Sequence, residues 1–155
     1  MPKQMKKIVI SKDQAVFRLD GNGRWHNKFG EFQHKKIIDF FHSSIRKDKD
    51  GYFLTQTSDN IKEKVYFHCE DGAFFVFDVI NEYDLILVLN TGKKIKLKPK
   101  KLWIKHDSLY MQEGDEHIKF NEQSLMKISE LIEYDDRQYF IRIKNRKYGI
   151  RELLD

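Results

Sequence analysis

Two segments of the chain carry apolar residues at helical spacing, and most of the remainder alternates. In His34 to Lys47 the apolar positions are Ile37, Ile38, Phe41 and Ile45. In Glu122 to Tyr134 they are Leu125, Ile128, Leu131 and Ile132. Each set falls on one face of a 3.6-residue helix. Asn121 stands where it can cap the second helix, with Phe120 and Leu125 placed to close a hydrophobic staple. Arg46 and Lys47 end the first, where cations suit the negative end of a helix dipole.

Between these segments lie short runs rich in Phe, Tyr, Val and Ile, separated by turn signals. The turns are Asp20-Gly21-Asn22-Gly23, Asp50-Gly51, Asp71-Gly72, Thr91-Gly92 and Glu113-Gly114-Asp115. This pattern predicts antiparallel strands near 15–19, 24–26, 52–57, 63–69, 73–80, 85–90, 94–98, 101–106, 108–112, 116–120, 138–144 and 147–151. Asp48-Lys49-Asp50-Gly51 lacks the later ligands of a calcium loop and reads as a helix-to-strand turn.

Each predicted helix comes after a hairpin and precedes an aromatic strand. An offset of 87 residues lays Ile38 on Leu125, Phe41 on Ile128, Ile45 on Ile132, Tyr52 on Tyr139 and Phe53 on Phe140. One reading is an internal repeat of β-hairpin, helix, β-hairpin. The other is that any two amphipathic helices trailed by strands can be slid into register. The expected class is therefore α+β, with duplicated units and mostly antiparallel sheets. The expected halves are 1–82 and 83–155, with a seam near Asn81 to Asp84.

Composition narrows the class without naming a function. The chain has 155 residues, of which 40% are apolar and 14% aromatic, enough for a packed core. Its one cysteine, Cys69, excludes an intramolecular disulfide and a Cys-x-x-Cys metal or redox pair. The run Ile8-Val9-Ile10 is too short for a secretory signal, and Leu85 to Leu89 is too short to span a bilayer. The expected address is the cytoplasm. A net charge of +5 from 29 basic and 24 acidic residues permits an anionic partner but is modest for a dedicated nucleic-acid binder.

The clearest basic feature is Lys93 to Lys101, six lysines in nine residues, with Ile95 and Leu97 alternating against Lys94, Lys96 and Lys98. Such a strand is either a phosphate-contacting face or a lysine-guarded sheet edge ended by Pro99; the edge is the more frequent use. A second cluster, Arg142, Lys144, Arg146 and Lys147, would add to an anion-binding surface if it converged with the first. No nucleic-acid signature accompanies either. The six histidines include no i, i+4 pair for zinc, so no metal and no cofactor are expected. Cys69 beside His68 does not make a dyad, because neighbours on a strand face opposite ways; a buried thiol is expected.

Two spots hold more chemistry than their neighbours. Gly23-Arg24-Trp25-His26 puts a cation, a large ring and an imidazole at a hairpin. Glu70-Asp71-Gly72-Ala73-Phe74-Phe75 puts two carboxylates at a turn before an apolar strand. The ordinary readings are a core Trp with surface flanks and a solvated acidic turn.

With Asp50-Gly51-Tyr52-Phe53-Leu54-Thr55, these spots resemble the bacterial domain-of-unknown-function twelve-eighty-five family. Here Trp25 and His26 are adjacent, Tyr52 comes directly after Gly51, and Thr57-Ser58 stands where a Thr-Pro turn is expected. The resemblance covers roughly residues 15 to 80. It implies a two-part α+β duplication with a pleckstrin-homology-like second part. It also implies a small-ligand pocket between the parts, a nucleotide-like ligand, a signalling role and no established enzymatic activity. The expected site is Arg24, Trp25, His26, Tyr52, Glu70, Asp71 and Phe74, with Trp25 stacking on a ring, Arg24 meeting an anion, and Glu70 and Asp71 orienting Arg24. The alternative is a nucleic-acid or anionic-surface module using Lys94, Lys96, Lys98, Arg142 and Lys144. A third, weaker reading is a hydrolase using Glu70 and Asp71.

Overall fold

The structure is a computed structural model that describes residues 5–154. The chain divides into two compact units, Met1–Ala73 and Phe74–Asp155. This boundary lies before the expected 82/83. Asn81 to Asp84 belong instead to a hairpin of the second unit, in which Asn81 pairs with Leu85. Among the described residues both units mix strands with a single α-helix, so the class is α+β.

The first unit runs β1 (Lys6–Ile10), a 3-10 turn (Lys12–Gln14), β2 (Phe17–Leu19), β3 (Trp25–Asn27), β4 (Gly30–Glu31), α1 (Lys35–Ser43), β5 (Arg46–Asp48), β6 (Gly51–Ser58), β7 (Ile61–Tyr66) and β8 (His68–Cys69). These strands form two four-stranded sheets, β1-β7-β6-β5 and β4-β3-β2-β8. The β1–β7 and β2–β8 pairs are parallel, and the others are antiparallel. Alternation along β2 buries Phe17 and Leu19 and leaves Arg18 exposed. Phe17, Trp25, Phe41 and Phe67 form a core of mostly edge-to-face rings, with centroids 4.9 to 6.0 Å apart. That geometry suits the ring quadrupole and adds to the gain from burial.

The second unit runs β9 (Phe74–Asn81), β10 (Leu85–Leu89), β11 (Lys94–Lys96), a 3-10 turn (Pro99–Lys101), β12 (Leu102–Lys105), β13 (Ser108–Glu113), β14 (Glu116–Phe120), α2 (Glu122–Ser129), β15 (Ile132–Asp135), β16 (Gln138–Ile143) and β17 (Arg146–Glu152). Its nine strands lie in the order β11-β10-β9-β14-β13-β12-β17-β16-β15. Leu87 near one end of that order and Ile141 near the other share one core with Met111, Phe120 and Ile128. The sheet therefore bends round a single interior. Asn121 caps α2 as expected, its side-chain oxygen accepting from Ser124 N at 2.9 Å.

Both helices are shorter than their apolar spacing predicts. Arg46 and Lys47 lie in β5, paired with Phe53 and Tyr52, and from there the Arg46 guanidinium still donates to Ser43 O at the C-terminus of α1 at 3.4 Å. Ile132 to Tyr134 lie in β15 and pair with β16. Ile45 and Ile132 satisfy a helical period and a strand equally well, and the ladder with the next strand decides between them. For the same reason Asp48 to Gly51 form a strand-to-strand turn, not a helix-to-strand turn. β1, β4, β5 and β15 go beyond the expected strands. Cys69 is half-buried rather than buried.

Candidate functional site

The site is built on the sheet β4-β3-β2-β8. In this sheet Arg18 pairs with His26 on one side and His68 on the other, and His26 pairs with Glu31. Paired residues of neighbouring strands share a face and stand roughly 5 Å apart. The four side chains thus form one row, Glu31–His26–Arg18–His68, on the face opposite Phe17, Leu19 and Trp25.

The hairpin between β2 and β3 locks one end of the row. Asp20 Oδ1 accepts from Asn22 N at 2.8 Å and Arg24 N at 2.9 Å, while Asp20 Oδ2 meets His26 Nε2 at 2.7 Å. Burial pushes the Asp20 carboxyl up, but the hydrogen bonds from Arg24, His26 and Asn22 outweigh it and hold the group below its ordinary range. Glu70 Oε2 accepts from Gly21 N at 2.7 Å, tying the Glu70 turn to the same hairpin. The two chemically rich spots of the sequence are therefore neighbours.

Beside this hairpin runs an open groove of about 450 Å³. Its charged and titratable lining is Lys12, Arg18, His26, Lys28 and His68, without a carboxylate. Arg18, Lys12 and Lys28 have no carboxylate partner among the described residues. A second, mostly apolar groove of about 370 Å³ lies between Phe29, Phe32, Ile37 and Phe41.

The other expected site residues are dispersed or engaged differently. Trp25 is 1% exposed, packed among Phe17, Phe41 and Phe67, and donates its Nε1–H to His42 Nδ1 at 3.2 Å. It is a core ring and has no free face for a ligand. Arg24 pairs with Glu31 at 3.4 Å instead of being oriented by Glu70 or Asp71. Asp71 is exposed. Tyr52 belongs to the other sheet, with Lys47 Nζ 5.3 Å from its ring centre. Phe74 opens the second unit, paired with Ile118 in β9. Arg18, Lys12 and His68 escaped sequence reading. The usable signal was Phe17-Arg18-Leu19, an exposed cation between two buried apolar residues.

The lysine strand β11 is the edge of the nine-stranded sheet, the arrangement the guarded-edge reading requires. Lys98 Nζ meets both Glu113 oxygens at 3.0 Å. Lys144 and Lys96 converge on Asp84 Oδ1, at 3.0 and 3.5 Å, and the hydrogen bond from Lys144, helped by both charges, holds that carboxyl below its usual range. Arg142 is bound by Glu133 at 3.0 Å, and Lys94 lies at the edge of β11. The two basic clusters do meet, but on a carboxylate. No group of three or more His, Cys, Asp or Glu among the described residues is placed to hold a metal. No helix among them is long and apolar enough to cross a membrane.

The molecule is thus an α+β protein carrying a cation-lined groove on one small sheet. No family model matches the chain, and no curated protein matches it. Among solved structures, a DUF1285 family protein from Silicibacter pomeroyi is similar over 97% of this chain and 89% of its own, with a TM-score of 0.61 and 13% identity. A second DUF1285 family protein, from Shewanella baltica, is similar over 74% of this chain and 91% of its own, with a TM-score of 0.49 and 19% identity. The resemblance read from the hairpin and turn motifs is borne out as a likeness of fold.

Proposed function

We propose that this chain is a non-enzymatic small-ligand-sensing or interaction protein, with a nucleotide-like ligand, a cytoplasmic location and a signalling role. The observation that carries the reading is the union of the Arg24–His26 hairpin and the Glu70 turn beside the groove of about 450 Å³. A ligand pocket is a concavity with a few convergent polar groups, and this one has a titratable pair, Asp20 and His26, at its margin. A thermal-shift screen against nucleotides and metabolites tests it. A ligand at a hundred times its Kd stabilises by about 2.7 kcal/mol, which moves the melting temperature by several degrees. A screen in which no nucleotide or metabolite raises the melting temperature refutes the reading.

We also infer that the two units are duplicated copies of one supersecondary unit. The 87-residue offset carries Lys35–Ser43 onto 122–130, where α2 lies. It also carries the pairs Lys47↔Tyr52 and Asp48↔Gly51 onto Tyr134↔Tyr139 and Asp135↔Gln138. The bent sheet around one helix is what supports a pleckstrin-homology-like second unit. A crystal structure in which α1 and α2 pack on opposite faces of their strand triplets would refute the duplication.

A further inference from the structure

The geometry points to Arg18 as the anchor for a phosphate-type dianion, held in the groove by Arg18, Lys12 and Lys28 with His26 and His68 beside it. This inference rests on the ligand-binding reading and names the chemistry of the ligand's recognised group. Three observations converge on it. Register places Arg18 between two imidazoles on the solvent face of the sheet. Lys12, from the 3-10 turn, and Lys28, from the β3–β4 turn, line the same groove. Neither lysine, nor Arg18, is neutralised by a carboxylate among the described residues.

What marks this groove is the guanidinium of Arg18 set between two imidazoles, with two lysines on the same lining. Lys96 and Lys144 share Asp84, Lys98 takes Glu113, Arg142 takes Glu133, and Lys64 takes Asp48. Those cations are answered with carboxylates, whereas Arg18, Lys12 and Lys28 line one concavity without one. Glu31 at the end of the row and Asp20 beside it are already engaged: Asp20 holds His26 and two backbone amides, and Glu31 holds Arg24. They restrain the hairpin without filling the groove. A planar guanidinium flanked by two imidazoles, with Lys12 and Lys28 on the same lining, suits the tetrahedral oxygens of a phosphate. It offers two donors in a fixed fork where an ammonium offers a point charge.

The experiment measures binding of inorganic pyrophosphate and of adenosine by titration calorimetry. The proteins are the full chain, Arg18→Gln, and Lys62→Gln as a charge-matched control on the other sheet. Pyrophosphate should bind the unaltered chain and Lys62→Gln alike. Its affinity for Arg18→Gln should fall about tenfold to a hundredfold, the loss expected for charged hydrogen bonds. Equal pyrophosphate affinity in Arg18→Gln and the unaltered chain overturns the anchor. Binding of adenosine without pyrophosphate overturns the dianion while leaving a ligand-binding protein. Binding of neither, together with an unresponsive thermal screen, removes both readings. Melting curves of the two variants report whether each is folded.

Discussion

Mild acid should destabilise this protein through a single imidazole. His42 is 2% exposed in α1, and its Nδ1 accepts the indole N–H of Trp25. Burial pushes its pKa down to about 4, against a partial upward pull from Asp39. An imidazole in the unfolded chain titrates near 6.5, so below that pH the unfolded state takes the proton first. Stability is therefore fully present above about pH 6.5, falls as pH drops toward about 4, and levels off below. The whole shift corresponds to about 3 kcal/mol, of which about 2 kcal/mol is lost between pH 7 and pH 5. That is a large share of the stability of a small domain, roughly 5–15 kcal/mol. The assay is urea denaturation at both pH values, monitored by tryptophan fluorescence, for the natural chain and for His42→Asn. The asparagine oxygen can stand where Nδ1 stands and does not titrate. His42→Asn should start less stable but lose far less between pH 7 and pH 5. If it loses the same 2 kcal/mol or so, His42 is not the source. The depressed carboxylates Asp20, Asp78 and Asp84 also lose stability on acidification, but in a lower window, below their ordinary values near 3.8.

Other expectations concern caps, core and edge. Asn121→Ala removes the acceptor for Ser124 N and should cost about 1 kcal/mol in denaturant titration. Ile141→Ala, at a fully buried position of the second core, should cost about 2–5 kcal/mol by the same measurement. Lys94→Val with Lys96→Val should make the β11 edge sticky, seen as added concentration-dependent association in light scattering, while scattering unchanged from the natural chain would refute the guarded-edge account.

How much was legible depended on whether a feature is local. The Asn121 cap, the hairpin at Gly21-Asn22-Gly23 and the lysine edge each rest on a few adjacent residues, and each was readable. The helix ends were not. Ile45 and Ile132 fit both periods, and only pairing with β6 and β16 turns 46–48 and 132–135 into strands. β1 is not legible locally, because its alternation, half-buried Ile8 and Ile10 against exposed Lys7 and Val9, is brief and its partner strand lies some fifty residues on. The burial of Trp25 is hidden from the sequence for a related reason. An exposed hairpin ring and a core ring look alike in sequence, and only the surrounding Phe17, Phe41 and Phe67 show which it is.

The sequence by itself determined the α+β class, the two helical faces, the turns and the exclusion of an intramolecular disulfide, because these arise from periodicity and residue type. Tertiary structure alone decided which side chains share a face. Strands alternate faces at every residue, so a shift of one position in the β2–β3 or β2–β8 register would turn Arg18 away from His26 and His68. The groove with its uncompensated cations exists because burial of Phe17, Leu19 and Trp25 on the opposite face sets the β2–β3 register, while β8 joins from some fifty residues further along the chain.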